Sequence, residues 1–138
     1  MYVTEVLRDL SCQLQALIRR LAHTHELTPT QAHILLTLPV DGLSMSALAR
    51  CLGLDASTMS RVIDKMAEQY WVQRQTSVKD RRVIQVVRTS LGHEIRRRLY
   101  DDMEQLVQEL LRDLPPEREE LLSQLLADLS RRLIRLRS

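Results

Sequence analysis

One short segment combines basic side chains with strand-forming ones in a chain that otherwise has helical spacing. Residues 76–90, TSVKDRRVIQVVRTS, carry four positive charges and one acid, and β-branched residues follow Lys79-Asp80-Arg81-Arg82. Ammonium and guanidinium groups bind phosphate oxygens through charge-assisted hydrogen bonds. The β-branched residues favour a strand. The segment therefore predicts a hairpin with a basic tip, or alternatively an ordinary charged turn that protects a strand edge from aggregation.

Asp80 is the informative residue of this tip, because a carboxylate beside a polyanion is repelled by phosphate. An acid is tolerable there if it orients a neighbouring Arg by a bidentate pair. Residues two apart share a face of an extended strand, so the spacing favours Arg82 as the held side chain. Narrow minor grooves of DNA attract Arg. We therefore expect Arg82 to enter such a groove, with Arg81 as a flanking phosphate contact and Lys79 beside them.

A second polar and basic set lies on a predicted helix at about 55–69. Its outer positions are short hydroxyl and basic side chains, as a helix in the major groove of DNA requires: Ser57, Thr58, Ser60, Arg61 and Lys65. We expect Arg61 to contact a base edge and Lys65 a phosphate. The alternative is that Ser57 only caps the helix and Arg61 is only solvated.

The charge is unevenly distributed along the chain. The 138 residues have a net charge of +2, but residues 61–98 hold ten Lys or Arg and four acids. No apolar run has the roughly 18 residues of a membrane span, the N-terminal residues do not resemble a secretory signal, and two cysteines give no disulfide framework. We expect a cytoplasmic protein with no membrane association, no cofactor and a polyanionic partner.

The elements that position both sets follow from apolar spacing. Helices are predicted at about 2–24, 28–38, 45–52, 55–69, from residue 90 to the DLPP segment, and 116–136. The third and fourth helices meet through a tight turn at Gly53, and two strands follow around the basic tip. The fold class is therefore mainly α with a small β-hairpin wing, a winged helix-turn-helix.

The first and last helices are longer than such a domain needs, and each has a strongly apolar face. The economical interpretation is a homodimer that shares these faces, although a helical bundle within one chain is the alternative. We predict an N-terminal dimerisation helix at 1–25, a winged helix-turn-helix DNA-binding domain at 26–90, and C-terminal dimerisation helices at 91–138.

Three segments in this order, LTPTQAHILLTL, LSMSALARCLGLDASTMSRVIDKM and KDRRVIQVVRTSLG, resemble the MarR family of bacterial transcriptional regulators. The most specific part is the Asp-x-Arg of the wing, followed by Thr89 and Gly92. The resemblance implies that Arg82 enters the minor groove, that Asp80 braces it, and that helix 55–69 is the recognition helix. It also implies a homodimer that represses genes from pseudo-palindromic operators and is released by a small-molecule effector or an oxidant.

The sequence departs from the family at three positions. Tyr70 stands where a Gly usually ends the recognition helix, and a left-handed backbone is costly for Tyr. Gln85 and Arg88 replace apolar residues of the second wing strand. These two changes predict either a less buried strand or additional polar contacts from it.

Other functions have weaker support in the sequence. No catalytic triad, glycine-rich phosphate loop or metal-protease spacing indicates an enzyme. A winged helix that binds protein is the rival class. Within the family, Cys12 is a possible redox sensor, with a packed small residue as its alternative. A metal-sensing member using His23, His25 or His33 is a further possibility, although no metal site is predicted.

Overall fold

A computed structural model of the chain describes residues 2–137. The described residues form six helices and three short strands. In chain order these are α1 (Val3–Thr24), α2 (Pro29–Thr37), β1 (Leu43–Ser44), α3 (Met45–Leu52), α4 (Ala56–Glu68), β2 (Val72–Thr76), β3 (Ile84–Arg88), α5 (Ser90–Leu110) and α6 (Pro116–Arg137). The predicted fold class, a mainly helical winged helix-turn-helix, is confirmed.

The start of α2 is stabilised by a capping box. At α2, the Thr28 hydroxyl accepts from the Gln31 backbone N–H at 3.1 Å, and the Gln31 side chain accepts from the Thr28 N–H at 3.0 Å. This reciprocal pair satisfies two otherwise unpaired donors of the first turn. Pro29 at the first helical position costs no hydrogen bond.

Three helices are followed by a residue with a left-handed backbone. Gly53 ends α3 with a φ of 67°, which glycine adopts without steric cost. Glu26 after α1 and Tyr70 after α4 adopt φ values of 58° and 62°. The strained left-handed backbone expected at Tyr70 is therefore present. Glu26 has the same kind of backbone, which the sequence did not predict.

The strands form one antiparallel sheet in the order β1-β3-β2. Val72 pairs with Arg88 and Thr76 with Ile84, so β2 and β3 form the predicted wing hairpin. The two-residue strand β1 adds to the other edge of β3, with Leu43 opposite Val86. This edge strand was not predicted, because a two-residue strand has no detectable periodicity.

A single apolar core lies between α2, α3, α4, α5 and the sheet. Its fully buried members include one or more residues of each of these elements: Ile34, Leu35, Leu48, Met59, Ile63, Met66, Val86 and Leu99. The core fixes which faces of α4 and the wing remain outside, because a buried side chain at every third or fourth position of a helix leaves the opposite face to solvent.

The chain divides into two compact units, residues 1–103 and residues 104–138. The first unit holds the core and both polar sets. In the second unit α6 has no buried residue, and its Leu and Ile side chains are exposed except for the half-buried Leu129. Met1 and Ser138, the outermost residues of the predicted segments 1–25 and 91–138, lie outside the described residues. Nowhere in 2–137 does a helix have the length and apolar content needed to cross a membrane.

Candidate nucleic-acid interface

The start of α4 is set by Asp55. Its carboxylate accepts the Thr58 backbone N–H at 2.7 Å and the Ser57 hydroxyl at 2.9 Å. These hydrogen bonds, of which those from Thr58 contribute most and the one from Ser57 less, hold the pKa of the Asp55 carboxyl below its ordinary value. The Arg61 charge makes a smaller contribution. Asp55, rather than Ser57, is therefore the N-cap of α4.

The two faces of α4 differ sharply. Met59, Ile63 and Met66 are fully buried in the core. The predicted contact residues occupy the other faces: Ser57, Arg61 and Lys65 are exposed, and Thr58 and Ser60 are half-buried. Thr58, Arg61, Asp64 and Lys65 line one open depression along the helix. The structure thus brings this polar set together on one accessible surface.

The wing tip between β2 and β3 is a closed turn rather than extended strand. The Val83 N–H donates to the Asp80 carbonyl at 3.0 Å, and the Ser77 N–H donates to the Val83 carbonyl at 2.9 Å. Lys79, Arg81 and Arg82 are exposed on this turn. All three predicted cations of the tip therefore face solvent.

Asp80 and Arg82 form the predicted bidentate pair. Arg82 Nε donates to Asp80 Oδ1 at 3.1 Å, and Nη2 donates to Oδ2 at 3.2 Å. The Arg82 side-chain and backbone donors together hold the pKa of the Asp80 carboxyl below its ordinary value. The predicted partner is confirmed, but the reason given for it was wrong. The turn, not a shared strand face, brings them together, because the Asp80 carboxylate also accepts the Arg82 backbone N–H at 3.0 Å.

Arg74 of β2 was not predicted as part of the site. Its Nη2 lies 2.7 Å from Asp64 Oδ1 and 3.2 Å from the Ser60 carbonyl oxygen, both on α4. It therefore connects the wing to the outward face of α4. No local sequence signal reveals this contact, since Arg74 and Asp64 meet only when the strand folds back beside the helix.

Thr89 and Gly92, the residues after the wing, join it to α5. The Thr89 hydroxyl accepts the Gly92 N–H at 3.1 Å and donates to the backbone carbonyls of Tyr70 and Trp71. A Cβ added at Gly92 would lie 1.9 Å from the Trp71 carbonyl oxygen, so only glycine permits this approach. These contacts fix the end of α4 against the start of α5.

Arg88 fulfils the expectation of additional polar contacts from β3. Its Nη1 donates to the Leu38 carbonyl, and it lies 3.5 Å from the Leu35 carbonyl. Burial, followed by the positive charge of Arg96, lowers the pKa of the Arg88 guanidinium. The strand is not less buried at its centre, because Val86 is fully inaccessible. Gln85 is half-buried.

The possible sensor residues lie apart from these sets. Cys12 is exposed on α1 of the single chain. His25 lies 2.6 Å from Asp102 between their nearest side-chain atoms, whereas His23 and His33 are exposed. Among the residues that the structure describes, no three His, Cys, Asp or Glu side chains are grouped to hold a metal.

Comparisons with known proteins agree with this geometry. The model of the family described as MarR family matches residues 25–83, which cover α2, the helix-turn-helix and the wing tip. No curated protein sequence matches the chain. Solved structures match it across nearly its whole length, at identities that indicate a shared fold.

Three of these structures illustrate the likeness. The transcriptional regulator SlyA is 18% identical with a TM-score of 0.81, covering 96% of each chain. Wild-type MarR from E. coli is 20% identical with a TM-score of 0.76, covering 94% of this chain and 96% of its own. The MepR–DNA complex from S. aureus is 18% identical with a TM-score of 0.74, covering 96% and 99%.

The family consists of transcription regulators rather than enzymes, in agreement with the sequence-based prediction. Its model covers the elements that carry Asp80, Arg82 and the outward face of α4, and the remaining helices follow the fold of the solved regulators. Residues 25–83 of this chain therefore match the MarR family, and the chain as a whole has the fold of the solved regulators.

Proposed function

We propose that the protein is a sequence-specific regulator of transcription that binds double-stranded DNA as a homodimer. It acts in the cytoplasm on a pseudo-palindromic operator, represses the adjacent gene, and is released by a small-molecule effector. The α4 surface reads the major groove, and the wing reaches the neighbouring minor groove.

The observation that carries this proposal is the held guanidinium of Arg82. Its side chain is 90% exposed, yet two of its nitrogens are fixed by Asp80. A free exposed Arg has many rotamers, whereas this one is oriented before any ligand arrives. Its Nη1 remains available for an acceptor, and the strong negative potential of a narrow minor groove favours a guanidinium there.

The outward face of α4 supplies the second half of the contact. Arg61 can donate two parallel hydrogen bonds to a guanine edge, and Lys65 suits a phosphate. Ser57 and Thr58 lie at the N-terminal end of the helix, where the helix dipole favours a phosphate. Lys79 and Arg81 add flanking phosphate contacts from the wing, and Ser60 adds a hydroxyl beside Arg61.

The homodimer is supported by the apolar side chains that α1 and α6 leave exposed. On α1 these are Val3, Val6, Leu10 and Leu14, and on α6 they are Leu121, Leu122, Leu125, Leu126, Leu133, Ile134 and Leu136. Large exposed apolar patches mark protein interfaces. A second copy offers the same faces, and twofold symmetry would give two α4 helices for the two halves of an operator.

A gel-shift titration with DNA from the gene's own upstream region tests the proposal. We expect retention of a fragment whose inverted-repeat half-sites are about one helical turn apart, and no retention of a scrambled fragment of equal length. Mass measurement at micromolar concentration should give a dimer. A reporter under this promoter should be more active when the gene is deleted.

Absence of any DNA binding at low salt would overturn the proposal and favour the protein-binding winged helix instead. A monomer at micromolar concentration would overturn only the shared-helix dimer. Lower reporter activity after deletion would show activation rather than repression.

A further inference from the structure

The outward face of α4 contains an acid where phosphate is expected to approach. Asp64 lines the same open depression as Arg61 and Lys65, and its side chain is 57% exposed. An unpaired carboxylate at that place would repel the DNA backbone. The acid is paired, however, with a guanidinium from another element.

That guanidinium belongs to Arg74 of β2, which approaches α4 from the wing. The 2.7 Å distance between Arg74 Nη2 and Asp64 Oδ1 is a close ion pair, and the 3.2 Å hydrogen bond to the Ser60 carbonyl anchors the same nitrogen to the helix backbone. The Arg74 side chain is 31% exposed, far less than that of Arg82 at 90%. Arg74 is thus engaged within the protein.

We propose that Arg74 is a positioning residue for DNA binding, which holds the wing against α4 and neutralises Asp64, rather than a direct phosphate contact. The inference rests on the proposed DNA-binding function. Its chemical basis is that the Arg74–Asp64 pair has no net charge, so DNA meets Arg61 and Lys65 without an opposing carboxylate. The Ser60 contact keeps the two reading elements in register.

A double-mutant cycle in DNA-binding titrations tests this role. Arg74→Gln leaves the Asp64 carboxylate unpaired, and we expect affinity for the specific fragment to fall about tenfold at low salt. Asp64→Asn alone should change affinity by less than about twofold, because the carboxylate is already neutralised. Asp64→Asn added to Arg74→Gln should recover at least about half of the logarithmic loss.

The matched control is Glu68→Gln, since Glu68 lines the same depression but forms no ion pair with Arg74, whose partner among the described acids is Asp64. We expect its effect to be small, and equal in the wild type and in the Arg74→Gln background. Arg74→Lys keeps a cation that can pair with Asp64, so it should lie between the wild type and Arg74→Gln. Circular dichroism and melting curves identify any variant that fails to fold. If Arg74→Gln does not fold, Arg74→Lys replaces it in the double-mutant cycle.

Salt dependence separates positioning from direct contact. Loss of a phosphate contact lowers the slope of log affinity against log salt by about 0.9. The Arg74→Gln/Asp64→Asn protein should keep the wild-type slope, whereas the slope of Lys65→Gln should be less steep by about 0.9.

Two results would overturn the inference while leaving the proposed function intact. One is that Asp64→Asn changes affinity equally in the wild type and in the Arg74→Gln background. The other is a salt slope in the double variant that is less steep than the wild-type slope by about 0.9. If the wild type binds no DNA at all, the proposed function fails first.

Discussion

Asp80 and Arg82, two residues apart at the wing tip, are joined by three hydrogen bonds to one carboxylate. The Arg82 backbone N–H and Nε donate to Oδ1, and Nη2 donates to Oδ2, at distances of 3.0, 3.1 and 3.2 Å. A carboxylate in the middle of a basic segment is thereby converted from a repulsive group into the support of an exposed guanidinium. The acid gives the wing its fixed geometry.

Replacing Asp80 by Ala should weaken DNA binding by about fivefold, because the freed Arg82 must then be ordered at the moment of binding. Arg82→Ala should cost more, since it removes the groove contact itself. Fluorescence anisotropy with a labelled operator measures both. In an Arg82→Ala background the Asp80 carboxylate is unpaired, so Asp80→Ala should no longer weaken binding and should instead relieve part of its repulsion of phosphate. Equal or tighter binding by Asp80→Ala alone would show that the acid is merely repulsive.

Tyr70→Gly should raise the free energy of unfolding by about 1 kcal/mol, because Tyr70 has a φ of 62° and a left-handed backbone is strained for residues with a Cβ. Its side chain is 77% exposed, so little packing is lost. Urea unfolding measures the change. Tyr70→Ala is the matched control, since Ala keeps the strain and should give no gain. A gain of the same size from Ala would assign the effect to the aromatic side chain.

Gly92→Ala should destabilise the fold by about 3 kcal/mol, because its Cβ would overlap the Trp71 carbonyl oxygen and force α5 away from the residue that precedes β2. Gly53→Ala offers a matched comparison. There a Cβ meets no atom within 4 Å, and only the left-handed φ of 67° is unfavourable. We expect a cost of about 1 kcal/mol at Gly53. Equal costs at both sites in urea unfolding would contradict the close approach at Gly92.

The Asp55 cap predicts a specific pH dependence. Its pKa is lower in the folded protein than in the unfolded chain, where it is about 3.9. The stabilisation is therefore present above the unfolded pKa and is lost as pH falls through the folded pKa. The stability difference between wild type and Asp55→Ala should be constant from about pH 7 to 5 and should shrink below about pH 4. A difference that grows on acidification would contradict this assignment of the cap.

The sequence predicted the elements well where the signal was local. Apolar periodicity located the six helices of the described residues to within about two residues, and Gly53 marked the end of α3. The Asp80–Arg82 pair was also local, although its turn geometry was not foreseen. Contacts between distant elements were missed, namely the edge strand β1 and the Arg74–Asp64 pair. Such contacts depend on how strands and helices pack, which spacing along one element does not encode.

The departure at Arg88 shows the same limit. Its replacement of an apolar residue indicated either exposure or polar contacts, and the sequence could not decide between them. In the structure Arg88 reaches the carbonyls of Leu35 and Leu38, about fifty positions earlier in the chain. An Arg stem can pack while its charged end finds distant acceptors. The buried residues at α2 that supply them are known only from the fold.

The central claim is that this protein binds DNA through α4 and the wing, and salt-dependent binding of the specific fragment tests it most directly. We expect log affinity to fall linearly with log salt for wild type, with a slope that reflects about four or more neutralised phosphates. Arg81→Ala/Arg82→Ala should lower the slope by up to about two phosphate equivalents and weaken binding at every salt concentration. Unchanged affinity and slope in that double variant would contradict the account.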